Sequence, residues 1–146
     1  MAANNGLTLE LTRTLPATPA TVWRAMTDAE ELTRWWGPKG FTAPQVDFDP
    51  REGGSYRIAM QPPEGELFHL HGEFRKVLAP SLLSYTFVWD PPDPDDRETL
   101  VTLALEDRGD QTGVSLSQGT FATEERLDLH RDGWSEGLDK LEELLG

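Results

Sequence analysis

An amphipathic segment at the end of the chain places the strongest constraint on the fold. Between Glu124 and Leu145 the apolar positions are spaced three or four residues apart, and acidic residues occupy the first turn. This spacing predicts one long helix with a single apolar stripe. The stripe consists of Leu127, His130, Trp134, Leu138, Leu141 and Leu145. A helix of this kind buries its stripe against a second layer of structure.

The segment that precedes this helix is typical of an antiparallel sheet. Over residues 41–118, short runs alternate apolar and polar side chains and are separated by clusters of Gly, Pro and Asp. Such a pattern indicates five or six strands joined by turns. Near the start of the chain, Leu7, Leu9 and Leu11 alternate in the same way within residues 6–13 and predict one more strand.

Two short helices are predicted between the first strand and the rest of the sheet. Thr18 is a suitable N-cap and Pro19 a suitable first residue for one helix, and Asp28 can cap another over residues 29–35. Gly37 and Pro38 then end the helical pair. The resulting order is that of an α+β fold with six or seven strands, and we expect residues 1–146 to form a single domain.

Charge and composition exclude several classes of function. The chain has 26 acidic and 13 basic residues, and its net charge of -13 repels nucleic acids and anionic lipid surfaces. It has no cysteine, which fits a reducing compartment. No apolar run is long enough to cross a membrane, and residues 1–14 lack the pattern of a secretory signal. We therefore expect a cytoplasmic protein that binds neither nucleic acid nor membrane.

Several local motifs, taken in order, resemble one family. They are the segments 35–38 (WWGP), 49–56 (DPREGGSY), 72–74 (GEF), 85–89 (YTFVW), 101–102 (VT) and 133–134 (GW). Together with the order of elements, they resemble the helix-grip fold of the START-like, or SRPBCC, superfamily. Within it, they are similar to the branch related to the activator of heat-shock protein 90 ATPase. The resemblance spans nearly the whole chain.

This resemblance implies a pocket between the curved sheet and the C-terminal helix, but it does not imply one activity. The superfamily includes lipid carriers, cyclases and co-chaperone domains, and a fold alone does not choose among them. Members of the branch often have a Thr-His pair late in the last strand, whereas this chain has Ser117-Gln118. Any role of that histidine in relatives therefore does not transfer to this chain.

We expect the pocket to be lined by the inward rows of the strands and by the closing helix. Most of these side chains are apolar, as is usual for small-molecule sites. Tyr56, Tyr85, Gln118 and His130 add polar groups. The full predicted set is Trp35, Tyr56, Ile58, Met60, Phe68, Leu70, Phe74, Tyr85, Phe87, Trp89, Val101, Leu103, Leu116, Gln118, His130 and Trp134.

Three further motifs have both a functional and a structural interpretation. His69, His71 and Glu73 alternate along one strand face and could bind a metal, but the opposite row is apolar, which favours a solvated outer face for them. Gly53 and Gly54 have no helix after them, so we interpret them as a tight turn and not as a phosphate loop. The pair Trp35-Trp36 either anchors the core or places one indole at the mouth of the pocket.

These observations favour a non-catalytic protein that binds a small apolar or aromatic molecule and uses no cofactor or metal. One alternative is a protein-interaction module that binds a chaperone, which the resemblance implies. Another is a hydrolase or cyclase that uses His130 with a Tyr or Gln partner, although no catalytic triad or carboxylate pair is recognisable. Homodimerisation through an exposed sheet edge or an aromatic surface is a further alternative.

Overall fold

Seven antiparallel strands form one sheet in the computed structural model, which describes residues 7–146. The sheet has the order β1-β7-β6-β5-β4-β3-β2 and curls into a half-barrel. The chain follows β1 (Leu9–Leu15), α1 (Pro19–Thr27), α2 (Ala29–Trp35), β2 (Thr42–Phe48), β3 (Ser55–Gln61), β4 (Phe68–Leu78), β5 (Leu82–Asp90), β6 (Thr99–Arg108), β7 (Gln111–Gly119) and α3 (Glu124–Leu145). The predicted α+β helix-grip fold is thus confirmed.

The local signals in the sequence define most of the helix boundaries. The Asp28 side chain accepts hydrogen bonds from the backbone N–H groups of Glu30 and Glu31, at 2.9 and 3.2 Å, and so caps α2. The Thr123 hydroxyl caps α3 in the same way. The first strand runs two residues beyond the predicted segment 6–13, because Thr14 and Leu15 continue its pairing with β7. Gly6 lies outside the described residues.

Strands β4 and β5 approach each other closely at Gly72, where their regular pairing is interrupted between His71 and Phe74. A Cβ atom at this position would lie 1.9 Å from the carbonyl oxygen of Thr86 and 2.8 Å from the ring of Tyr56, so a larger residue does not fit. The Tyr56 hydroxyl donates a hydrogen bond to the same Thr86 oxygen at 2.7 Å. The hydroxyl of Thr86 in turn accepts a hydrogen bond from the backbone N–H of Glu73 at 2.8 Å. These bonds join β3, β4 and β5 at this close approach.

Helix α3 crosses the concave face of the bent sheet. Its buried side includes Leu127, Trp134, Leu138 and Leu141, as the stripe predicts. At one edge of the sheet, the guanidinium of Arg13 donates hydrogen bonds to the carbonyl and hydroxyl oxygens of Ser135 and pairs with Asp139, fixing α3 to β1. Within the described residues, no helix is long and apolar enough to cross a membrane.

We predict that Tyr56→Phe lowers the free energy of unfolding by about 1–3 kcal/mol. The substitution removes a buried hydrogen bond, the one that the Tyr56 hydroxyl donates to the carbonyl oxygen of Thr86. Chemical denaturation monitored by circular dichroism measures the change. Tyr85→Phe is the matched control, because it removes a hydroxyl from a ring of the same cluster that plays no part in the bond to Thr86. Equal stability of the Tyr56→Phe variant and the unmodified protein would contradict a stabilising role for the hydrogen bond between Tyr56 and Thr86.

Candidate ligand-binding pocket

A pocket of about 380 Å³ lies between the first half of α3, the end of α2 and the neighbouring ends of β3, β4 and β5. Its volume lies at the lower end of the range of small-molecule sites, about 300–1,000 Å³. Exposed residues at its rim, such as Leu129, Pro91 and Asp93, open it to solvent. It is lined by Trp35, Trp36, Gly37, Pro38, Phe41, Met60, Phe68, Phe87, Trp89, Pro91, Asp93, Asp96, Arg126, Leu129, His130, Gly133, Trp134 and Gly137.

Aromatic rings make up most of the wall. Trp36 and Trp134 meet edge to face with 5.1 Å between ring centroids, and Phe87 and Trp89 do so at 5.0 Å. Phe68 packs against Trp89 at 5.4 Å. These separations lie in the range preferred by aromatic pairs. The rings therefore support one another and present a continuous apolar surface to the pocket.

The polar atoms of three tryptophans in this wall are already bonded within the protein. The indole N–H of Trp35 donates to the carbonyl oxygen of Ala25 at 2.9 Å. That of Trp134 donates to the side-chain oxygen of Gln118 at 2.7 Å, and that of Trp89 donates to His130 Nε2 at 2.9 Å. These three residues therefore contribute ring surface to the pocket and no free hydrogen-bond donor.

His130 is held in one neutral form by its two neighbours. An indole N–H only donates, so His130 Nε2 must accept the bond from Trp89 and carries no proton. The proton is then on Nδ1, which donates to the carbonyl oxygen of Arg126 at 2.8 Å. Burial lowers the pKa of His130, and the nearby positive charge of Arg126 acts in the same direction. With both ring nitrogens bonded, the imidazole in this arrangement has no free position for general acid or base chemistry.

The charged groups of the pocket are confined to its rim. Arg126, on the first turn of α3, pairs with Asp96 at 2.6 Å and lies 3.5 Å from Asp93. The side chain of Asp96 is 6% exposed and that of Asp93 is 71% exposed. The first ion pair therefore fixes the loop after β5 to α3, while the second carboxylate remains largely in solvent. The buried Nε of Arg126 has no acceptor among the described residues.

Lys140 holds the segment 36–41, which forms one side of the pocket. Its Nζ lies 3.1 Å from the carbonyl oxygen of Gly37 and 3.4 Å from those of Trp36, Pro38 and Phe41. Burial lowers the pKa of Lys140, and the charge of Glu136 opposes that change. One ammonium group with three protons thus serves four carbonyl oxygens and fixes the segment to α3.

Two glycines in α3 let the same segment approach the helix closely. A Cβ atom at Gly137 would lie 3.4 Å from the carbonyl oxygen of Gly37, and one at Gly133 would lie 3.5 Å from Pro38 Cγ. Glycine inside a helix costs about 1 kcal/mol relative to alanine. Both glycines line the pocket, so their lack of side chains also contributes to its volume.

Seven of the sixteen residues predicted to line a pocket do so in the structure. They are Trp35, Met60, Phe68, Phe87, Trp89, His130 and Trp134. The other nine are buried in the core and do not line the pocket. They are Tyr56, Ile58, Leu70, Phe74, Tyr85, Val101, Leu103, Leu116 and Gln118. Any contact with a ligand stays a prediction.

Two of the predicted polar groups are used inside this core. The Tyr56 hydroxyl is bonded to Thr86, and the Gln118 amide joins Trp134 to the hydroxyl of Thr99. Burial raises the pKa of Tyr56 and of Tyr85, so both phenols are neutral at pH 7. These groups stabilise the contact between the strands and α3 and do not face the pocket.

The remaining motifs have structural positions that account for them. His69 and His71 are partly exposed and alternate with buried Leu70 and Gly72 along β4, and no cluster of three potential metal ligands occurs in the described part of the chain. Gly53 has φ of 83°, and a Cβ at Gly54 would lie 2.2 Å from the carbonyl oxygen of Asp49. The glycine pair therefore forms a tight turn before β3.

The predicted lining set did not include Arg126, Asp96 or the two helix glycines. A run of acidic residues such as that at 93–96 is typical of a solvated loop, but Asp96 is buried by its ion pair with Arg126. A partial signal existed, since Gly133 and Gly137 are four residues apart inside a predicted helix, a spacing that indicates close approach by another segment.

The bent sheet, the crossing helix and the pocket between them define a protein of the SRPBCC superfamily with the helix-grip fold. Residues 16–146 match the family model described as activator of Hsp90 ATPase homolog 1-like protein. The chain belongs to this family, which confirms the resemblance identified in the sequence. None of the curated proteins matches the chain.

Solved bacterial structures are similar over nearly the whole length. A protein from Chromobacterium violaceum is 25% identical with a TM-score of 0.87, and the match covers 95% of this chain and 96% of that one. An AHSA1 protein from Silicibacter pomeroyi is 29% identical with a TM-score of 0.82, covering 94% and 96%. A protein from Rhodobacter sphaeroides is 28% identical with a TM-score of 0.81, covering 95% and 92%.

We predict that His130 makes the protein less stable at mildly acidic pH. The pKa of His130 is lowered in the folded state, so the unfolded chain takes up a proton first as the pH falls below about 6.5. The stabilising contribution of neutral His130 is therefore complete above this pH and is lost as the pH falls towards the folded-state pKa. Denaturation at several pH values should reveal the loss.

The His130→Gln variant isolates this contribution, because the exposed carboxylates are the same in both proteins. The pH dependence of its stability should be shallower between pH 7 and pH 5. Nitrogen chemical shifts of the imidazole at pH 7 should identify the Nδ1–H tautomer. Detection of the Nε2–H tautomer would be incompatible with the bond from Trp89.

We predict that Gly133→Ala raises the free energy of unfolding by roughly 0.5–1 kcal/mol and makes the pocket smaller. Alanine favours the helix, and its Cβ would make only an ordinary contact with Pro38. Thermal denaturation measures the gain, and a crystal structure measures the pocket. Asp132→Ala is the control, since it also favours the helix but lies on the exposed face. A less stable Gly133→Ala variant would mean that the segment 36–41 does not tolerate even one methyl group.

Proposed function

We propose that the chain binds a small apolar or aromatic molecule in this pocket and that binding is its function. The observation that supports the proposal best is a pocket of about 380 Å³ whose wall is mostly aromatic and whose tryptophan N–H groups are largely bonded elsewhere. Such a wall favours a ligand by burying its apolar surface and by ring contacts. It offers few directional polar groups for chemistry on a bound molecule.

The proposal can be tested by titrating the protein with naphthylethanol, a neutral aromatic probe that suits a pocket of this size, in a calorimeter. We predict saturable binding at one site, weakened about tenfold in Phe41→Ala, since Phe41 lines the pocket and packs against Phe68. Phe48→Ala is the matched control. Phe48 is also half-buried and is the last residue of β2, the strand that Phe41 precedes. It packs against Tyr56 and Phe74, away from the pocket.

Two results would contradict the proposal. One is the absence of saturable binding by naphthylethanol together with the absence of any small molecule in native mass spectra of the purified protein. The other is equal weakening by both substitutions, which would place the probe outside the pocket. Both variants need to keep the circular dichroism spectrum of the folded protein for the comparison to count.

A second candidate function is binding to a chaperone of the Hsp90 class, and the match to the family model supports it. The test is to measure the ATPase rate of a purified bacterial homologue of Hsp90 with and without the protein. A rate increase that saturates with added protein would support this function. An unchanged rate together with no association in analytical ultracentrifugation would contradict it.

A further inference from the structure

We propose that the pocket selects hydrophobic cations, such as aromatic amines with an alkylammonium group, over anions of the same shape. This inference rests on the proposed binding function and specifies the ligand class. It is based on three features of the described residues: the charge balance at the rim, the aromatic wall and the charge of the whole chain.

The rim has an excess of negative charge. Two carboxylates, those of Asp93 and Asp96, face one guanidinium, that of Arg126. The short contact of 2.6 Å and the burial of Asp96 commit this carboxylate to Arg126. Asp93 is 3.5 Å from Arg126 and mostly in solvent, so its carboxylate is available to an ammonium group at the mouth. A ligand carboxylate would instead approach two carboxylates and an already paired guanidinium.

The wall behind the rim also favours a cation. The faces of Trp and Phe rings carry partial negative charge and attract an ammonium group within about 6 Å of the ring centroid. Trp36, Trp89 and Trp134, the ring type with the strongest attraction, are among the lining residues. The apolar part of an aromatic amine can therefore pack among the rings while its charged end stays near them and near Asp93.

The charge of the chain acts at longer range in the same direction. A net charge of -13 raises the local concentration of cations and lowers that of anions around the protein. This effect decreases with ionic strength, whereas contacts inside the pocket are less sensitive to salt. Salt dependence therefore separates general attraction from recognition at the pocket.

The test compares three probes of the same shape at pH 7 in physiological salt: naphthylethylamine, naphthylethanol and naphthylacetate, which are cationic, neutral and anionic. We expect the amine to bind about three- to tenfold more tightly than the alcohol, and the acetate more weakly than the alcohol. In Asp93→Asn the advantage of the amine over the alcohol should decrease at least twofold. Asp93→Lys should reverse the order of amine and acetate.

Asp110→Asn is the matched control. It makes the same charge change at the exposed turn between β6 and β7, away from the pocket, so it should keep the order of the three probes. If the alcohol and the amine bind equally, if the acetate binds best, or if Asp110→Asn acts like Asp93→Asn, the selectivity for cations is wrong while the binding function stands. If none of the three probes binds and native mass spectra of the purified protein show no bound small molecule, the proposed binding function itself is contradicted.

Discussion

The whole architecture depends on the absence of a side chain at Gly72. Because the carbonyl oxygen of Thr86 occupies the space where a Cβ would lie, β4 and β5 can approach this closely only with glycine at position 72. Tyr56 and Thr86 then provide hydrogen bonds that join β3, β4 and β5 at this point. A flat sheet would offer α3 only one line of contact. The curled sheet packs around one side of the helix. This larger contact surface leaves room for a core at one end and an open pocket at the other.

The two ends of the concave face differ in what fills the space under α3. At one end, large side chains such as Phe74 and Leu138 are buried in the core. At the other end, α3 has glycines at 133 and 137, and the segment 36–41 lies against them. Hydrogen bonds from Lys140 hold the segment in this position. A pocket forms where the helix lacks side chains to fill it. The paired rim residues Arg126 and Asp96 then keep the loop after β5 in place beside it.

The sequence predicted the fold well because the fold depends on local and periodic signals. The Asp28 cap, the turn at Gly53 and the stripe of α3 each lie within a few residues of the structure they specify. The pocket was predicted less well. Period-two alternation says that Leu103 and Phe87 both face inward, but it does not say which of them meets a void, because that depends on side chains from distant segments. The partner of Asp96 is 30 residues away in the chain and was unpredictable for the same reason.

The distribution of tryptophan gives the molecule a built-in optical reporter. Four of the five tryptophans, all except Trp23, line the pocket. Most of the ultraviolet emission of the protein therefore originates at the pocket wall, where three of the indoles are fixed by hydrogen bonds. A molecule that enters the pocket would change the surroundings of these rings and alter their emission, so occupancy can be followed in the unmodified protein without a label.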